Sequence, residues 1–211
     1  SFFTGANFMN KALLMVLSGA LIGLASSSIA MNQGEMVDSV AADTGLSKTQ
    51  SFNALDAFEK QLKEEVGAKR GVKLDNFGTY RPREKVGTRT GRTFAGTTTY
   101  DNWKLVKKPV IIDEATFNAR AAARAGLSVE DFDKATEAYK TRVGSTLRKG
   151  GSVAMHGEGT YAVGKVSPRK YYAKDGSISS VRFAKKVVRY KSYGDNKQKF
   201  TPDQALSDRL N

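Results

Sequence analysis

"VKLDNFGTYRPREKVGTRTGR" (72–92) opens with apolar residues alternating with polar ones, crosses a glycine at Phe77-Gly78-Thr79-Tyr80, and continues as a polar, arginine-rich segment. Alternation on either side of a glycine break is the pattern of strands joined by a turn. A related string, "VAMHGEGTY" (153–161), stands 81 residues downstream of 72–80. Its extension "GEGTYAVG" is not a phosphate cradle, because it lacks the G-x-G-x-x-G spacing and opens a strand rather than a helix. The glycines of both strings are read as tight-turn residues.

The same offset extends upstream of both strings. "GLSKTQSFNALDAFEKQLKEEV" (45–66) lies over "GLSVEDFDKATEAYKTRVGSTL" (126–147) without a gap. Gly45, Leu46 and Ser47 recur as Gly126, Leu127 and Ser128; Ala54, Ala57 and Phe58 recur as Ala135, Ala138 and Tyr139. Each serine caps an amphipathic helix, with Leu55, Phe58, Leu62 and Val66 on one face in the first copy and Phe132, Tyr139, Val143 and Leu147 in the second. A shorter helix precedes each, over 33–43 and about 114–125. Identity is sparse but the register is long, and a tandem duplication is its economical explanation.

Composition bounds the function. The 211 residues are 40% hydrophobic, which suits a folded chain, and 34 Lys and Arg against 21 Asp and Glu give a net charge of +13. Such a field selects polyanions, nucleic acid first. The absence of cysteine excludes disulfides, thiolate metal sites and cysteine nucleophiles. The single histidine, His156, has no G-x-S-x-G, H-E-x-x-H or P-loop string beside it and is read as a loop residue. Neither an enzyme nor a cofactor is expected.

"MNQGEMVDSVAADTGLSKTQSFNALDAFEKQL" (31–62), followed by the 72–92 stretch, resembles the HU/IHF family of bacterial-type histone-like proteins. The F-G-T-[FY] turn and the R-x-G-R string Arg89-Thr90-Gly91-Arg92 carry the resemblance, and in the second copy "GEGTYAV" (157–163) and the closing "TPDQALSDRL" (201–210) look like the family's turn and C-terminal helix. It implies an α+β fold with a helical base, an antiparallel sheet and β-ribbon arms that reach round double-stranded DNA. Relatives work as intertwined dimers. Two units in one chain, 31–112 and 113–211, imply a single-chain pseudo-dimer in which the units pair intramolecularly. "PVIIDEATFNARAAARAG" (109–126) must then serve as third helix of the first unit, first helix of the second, or one helix doing both, and is assigned to the first helix of the second unit.

The resemblance places arm one at about 81–108 and arm two at about 165–191. Arm one holds Arg81, Arg83, Lys85, Arg89, Arg92, Lys104, Lys107 and Lys108 against Glu84 and Asp101. Arm two holds Lys165, Arg169, Lys170, Lys174, Arg182, Lys185, Lys186, Arg189 and Lys191 against Asp175. Together they account for all of the net charge, whereas a surface tuned only for solubility mixes signs throughout. Cations gathered on ribbons bind phosphates with a salt-sensitive, largely sequence-independent affinity. "TTTYDNWKLVKK" (97–108) and "SISSVRFAKKVVRY" (177–190) alternate as strands, with Trp103, Leu105, Val181, Phe183 and Val187 read as sheet or core residues.

Where relatives carry an Asn-Pro arm tip after Gly-Arg, with proline as the wedge, this chain has Thr93-Phe94. Phe94 has three readings: a wedge into the duplex, of the kind minor-groove binders use; an anchor into a partner protein; or a ring folded back on its own ribbon. In the second copy Pro168 comes well before the turn expected at Asp175-Gly176, and no G-R-N-P string is present.

"MNKALLMVLSGALIGLASSSIA" (9–30) has the layout of a targeting peptide. The alternative is a retained hydrophobic helix touching a membrane through 12–30, short of the roughly 20 apolar residues a span needs. Two functions follow from all this. One is an architectural DNA-binding protein, addressed to a plastid or similar organelle, that compacts or bends DNA with little sequence preference. The other is an HU-like structural or linker subunit of a large organellar or membrane-associated assembly of protein subunits, without DNA.

Overall fold

Capping residues set the helix boundaries. In the computed structural model, which describes residues 30–94, 96–155, 157–192 and 197–211, a two-residue strand β1 (Ala30–Met31) leads into α1 (Gln33–Thr44) and α2 (Lys48–Gly67). Asn32 caps α1 by accepting from the Glu35 amide at 3.0 Å while the Glu35 carboxylate accepts from the Asn32 amide at 2.8 Å. Ser47 and Gln50 form the same reciprocal pair at the start of α2, satisfying amides that have no partner within the helix. The apolar segment before Ala30 and His156 both lie outside the described residues. No helix among the described residues is long and apolar enough to cross a membrane.

Next come β2 (Gly71–Leu74), the 16-residue β3 (Gly78–Thr93), β4 (Gly96–Leu105) and β5 (Ile111–Ile112), then α3 (Glu114–Ala125) and α4 (Val129–Arg148). The chain ends with β6 (Ser152–Met155), β7 (Gly159–Val166), β8 (Arg169–Tyr172), β9 (Ile178–Arg182), β10 (Lys185–Ser192), β11 (Gln198–Pro202) and α5 (Gln204–Asp208). The result is a mixed α+β fold. The 81-residue offset seen in sequence reappears in the elements: α1 and α3, α2 and α4, β1 and β5, and β2 and β6 start and end in register, and β3 and β7 start in register.

The strands form one sheet ordered β1-β6-β7-β10, a second ordered β11-β3-β2-β5 with β4 along the outer part of β3, and the separate pair β8-β9. Chain exchange joins the sheets. β1 pairs in parallel with the distant β6, Ala30 opposite Ser152, and β5 pairs in parallel with β2, Ile111 opposite Gly71. The helices cross over likewise, α1 packing on α4 and α2 on α3. Ion pairs fasten these contacts: Arg142 to Asp43, Arg124 to Glu64, and Arg120 to the buried Glu65 at 2.7 Å. One apolar core results, with Phe58 edge-on to Phe117 at 5.1 Å and the Phe77, Tyr139, Tyr161 and Phe200 rings packed at tilted and edge-on angles beyond it.

Two placements differ from the sequence reading. First, "TPDQALSDRL" holds the expected closing helix as α5, but the strand that leads into it, β11, pairs with β3 of the first copy, Phe200 opposite Tyr80. β4 stops following β3 after Val106, whose amide donates to the Pro82 carbonyl at 3.0 Å. There Lys108 takes a left-handed φ of 48° and Pro109 has no N–H to give a ladder. The vacated edge is filled by β11, while α5 sits against α4 and β10, held by Asn211 bonding both the amide and the carbonyl of Lys186. Second, Phe183 is neither a sheet nor a core residue: it is 77% exposed in the gap between β9 and β10, whereas Val181 lies in β9 opposite Lys170.

Gly78 and Gly159 follow turns, as expected, but close approach is what requires glycine. A Cβ on Gly78 would lie 2.5 Å from the Thr201 carbonyl and 2.6 Å from the Phe200 ring; one on Gly159 would meet the Lys191 carbonyl at 2.6 Å and the Tyr190 ring at 2.8 Å. The neighbouring strand and its aromatic ring occupy the space a side chain would take.

A candidate nucleic-acid interface on two ribbons

Arm one begins where β11 ends its pairing and β4 takes over, at Arg83 opposite Leu105. From residue 83 to 93 it reaches roughly 33 Å at about 3.3 Å per residue, long enough to lie along a duplex groove. The register slips between Lys85 and Thr88, a bulge at Val86-Gly87 that breaks the ribbon into a root and an outer part. Beyond it, Thr88, Thr90 and Arg92 stand opposite Asp101, Thr99 and Thr97 on one face. Arg89 and Gly91 stand opposite Tyr100 and Thr98 on the other, with the Tyr100 ring lying close over Gly91.

Arm two breaks at the matching level. β7 and β10 pair from Gly159–Ser192 out to Val166–Lys185, Ser167-Pro168 interrupts the first strand and Phe183-Ala184 the second, and β8 and β9 resume beyond. Proline cannot donate to the ladder, so an interruption there is expected. The turn at the end spans 173–177: the Asp175 carboxylate accepts from the Ser177 amide at 2.9 Å and its hydroxyl at 2.7 Å. These bonds hold the Asp175 pKa below its ordinary value of 3.8, so the turn carries a fixed negative charge at neutral pH.

The sequence-derived cations divide by position. At the root of arm one Arg81 is half-buried opposite Lys199, Arg83 donates to the Trp103 carbonyl at 3.0 Å, and Lys85 pairs with Asp101 at 2.7 Å. Lys107 and Lys108 are not on the ribbon at all but in the exposed loop by which the chain leaves it. Arg89, Arg92 and Lys104 are exposed, and among the described residues none has a carboxylate within ion-pair distance. On arm two Lys165, Lys170, Lys174, Lys185, Lys186 and Arg189 are likewise exposed. Arg169 lies over the Tyr171 ring at 5.7 Å, and the Arg182 guanidinium reaches the Ser167 carbonyl at 3.2 Å. Phe94 is 111% exposed at the end of arm one, so it does not fold back on its ribbon.

Some contributors were not picked out from sequence. Thr88, Thr90, Thr97 and Thr99 form a hydroxyl row beside Arg92, and Lys199 joins the root of arm one from the far end of the chain. The threonines are conspicuous in "GTTTY" (96–100), but only the register shows which of them share a face. Among the described residues no cluster of ligating side chains is suited to a metal ion.

Between the two arm roots lies a buried polar cluster. Glu158, in the turn before β7, accepts from Tyr80 at 2.7 Å, from Tyr139 at 3.0 Å and from Tyr161, and the Tyr80 and Tyr161 hydroxyls meet. Tyr190 donates to the Glu158 carbonyl at 2.7 Å, which Gln198 of β11 also reaches at 3.2 Å. Burial raises the Glu158 pKa above 4.5, against the lowering effect of the three hydroxyls. It also pushes Tyr80, Tyr139 and Tyr161 far above the usual phenol range. These hydroxyls remain donors, and the cluster ties both sheets together.

Residues 31–101, from β1 to the outer part of β4, match the family described as bacterial DNA-binding protein. The DNA-binding protein HU of Xylella fastidiosa (strain Temecula1 / ATCC 700964) is 37% identical to this chain over 62 residues, which cover 29% of this chain and 65% of that relative. The chain thus spans just under two thirds of that relative's length.

Proposed function

We propose that this protein is a non-enzymatic architectural DNA-binding protein that grips double-stranded DNA between two basic ribbons with little sequence preference. One observation carries the reading: the outer part of arm one, inside the segment that matches the bacterial DNA-binding family, presents Arg92 beside a row of threonine hydroxyls on one face and Arg89 on the other, neither with an acidic partner among the described residues. Guanidinium and hydroxyl groups on an extended ribbon suit phosphate oxygens at regular spacing, and they read no base identity. The family match favours DNA over a purely structural role in a larger assembly.

The two halves act, in this proposal, as a single-chain pseudo-dimer. Support comes from the 81-residue offset of the elements, the reciprocal exchange of β1 and β5, and the meeting of Tyr80 with Tyr161 across that same separation. Bending follows if both ribbons hold one duplex against the base, with Phe94 as the wedge at the tip of arm one. Binding of the full chain to unrelated duplexes across a salt series tests the reading. Log affinity should fall steeply and linearly with log salt, and Arg89→Ala with Arg92→Ala should flatten the slope by about 2. Salt-independent binding, or none at low salt, would remove DNA as the partner.

A further inference from the structure

On the 81-residue offset the first outer rungs of the two arms correspond, and their charges do not. In arm one Thr88 stands opposite Asp101, whose carboxylate pairs with Lys85 at 2.7 Å across the bulge. In arm two the same rung is Arg169 opposite Arg182, and like charges so placed repel. Lys165 and Lys170 lie two residues before and three after Ser167, and Lys185 borders the opposite gap. Among the described residues none of these five cations has a carboxylate within ion-pair distance. Arg182 donates through one terminal nitrogen to the Ser167 carbonyl at 3.2 Å, while its Nε–H is buried and without a hydrogen-bond partner among the described residues. The break itself reads Ser167-Pro168-Arg169-Lys170, a hydroxyl followed by proline and two cations. We propose that Ser167 is a phosphorylation site for a proline-directed kinase, and that its phosphate, held by Arg182, weakens the hold of arm two on DNA.

Ser167 is exposed, and the residue before a proline is held to extended backbone. Neither Ser167 nor Pro168 belongs to a strand, and beyond them β8 pairs with β9 alone, so one edge of the segment is open to an enzyme cleft. The other hydroxyl-proline pair of the chain, Thr201-Pro202, is tied into β11 opposite Thr79 and Gly78, and it has Gln204 where Ser167 has Lys170. Transfer forms a bond from the Ser167 Oγ to the γ-phosphorus of ATP and breaks the bond from that phosphorus to its bridging oxygen. The hydroxyl proton passes to a carboxylate of the kinase, and ADP leaves. The product carries a charge of about −1.5 to −2 and three acceptor oxygens, which suit a guanidinium fork. It gives arm two the anion that Asp101 gives arm one, and it repels the phosphate rows of a duplex.

The loss of grip rests on the DNA-binding reading above; the modification site does not. The full chain is treated with a cyclin-dependent kinase and ATP, mapped by mass spectrometry, and titrated with a labelled duplex across a salt series. Phosphate should appear on Ser167 and not on Thr201, and Ser167→Ala and Pro168→Ala should each remove it. Unmodified Ser167→Ala should bind the duplex as wild type does, before and after kinase treatment. The phosphorylated wild-type chain should bind about tenfold or more weakly at moderate salt, with the slope of log affinity against log salt reduced by about 2, as two neutralised cations predict. Absence of phosphate from Ser167 in the folded chain overturns the site. Unchanged affinity and slope in the phosphorylated chain overturn the release of DNA. Failure of the unmodified chain to bind any duplex removes the DNA reading instead, and the mapping of Ser167 then stands or falls on its own.

Discussion

Glu158 is a carboxylate closed off from solvent where the first half of the chain, 81 residues earlier, has Phe77, and it is served by Tyr139 where that half has Phe58. The pair of changes is self-consistent, since a buried acceptor demands donors and the tyrosines supply them. Its sign in pH is unusual for an acid. Because the folded-state pKa of Glu158 lies above 4.5, the native state holds its proton more tightly than the unfolded chain does. The stability it contributes is full below pH 4.5 and declines as pH rises through the folded pKa. Glu65 runs the other way: burial alone would raise its pKa, but Arg70, Arg120 and Gln61 hold it below 4.5, so its contribution is present above that pH and lost on acidification. Denaturant titrations of wild type and Glu158→Gln from pH 4 upward should therefore show the wild-type advantage shrinking as pH increases. Glu158→Phe should cost about 3 kcal/mol by leaving buried hydroxyls without their acceptor, and adding Tyr139→Phe should restore about 1 kcal/mol or more.

Strand β11 shows where local sequence signals stop. Its ring Phe200 lies 4.9 Å from Tyr80, 5.2 Å from Phe77 and 5.3 Å from Tyr161, centroid to centroid, so it plugs the aromatic core from the end of the chain. Phe200→Ala should cost about 3–5 kcal/mol in denaturant unfolding, as large aromatic deletions in packed cores do. Lys199→Ala, one residue away on the exposed face, should stay within about 0.5 kcal/mol. The helices are legible in sequence because their signals are local: Ser47 and Ser128 sit at the caps and the apolar stripes repeat at helical spacing. The basic ribbons are legible through alternation and charge. The partner of β11 is not, because it depends on Lys108 and Pro109 turning β4 away from an edge that lies near in space and distant in sequence. Nor are the faces of arm one, since the bulge at Val86-Gly87 resets the alternation that assigns them. The same limit explains Phe183, whose strand-like spacing hides a break that exposes the ring.

At the scale of the whole molecule, the contacts that hold the base together run between stretches far apart in one chain. Arg142 reaches Asp43, Arg120 reaches Glu65, β1 adds to β6, and Tyr80 meets Tyr161. In a dimer of separate chains such contacts form at a free-energy cost that depends on concentration; here the link through 106–113 makes them intramolecular. The pseudo-dimer proposed above thus predicts that the unfolding midpoint in denaturant is independent of protein concentration over a hundredfold range. A folding unit assembled from two chains would shift by about 2.7 kcal/mol over the same dilution. The comparison is sharpest within one protein, by placing a protease site in the exposed loop at Lys107-Lys108, where no ladder bond is at stake. Cleavage there should leave the fold intact at high concentration, because the exchanged strands and cross-packed helices still bind the two fragments to each other. It should also make the midpoint fall on dilution. A midpoint that already depends on concentration before cleavage would mean that the folding unit is a pair of chains, and that the halves of each chain do not pair with one another.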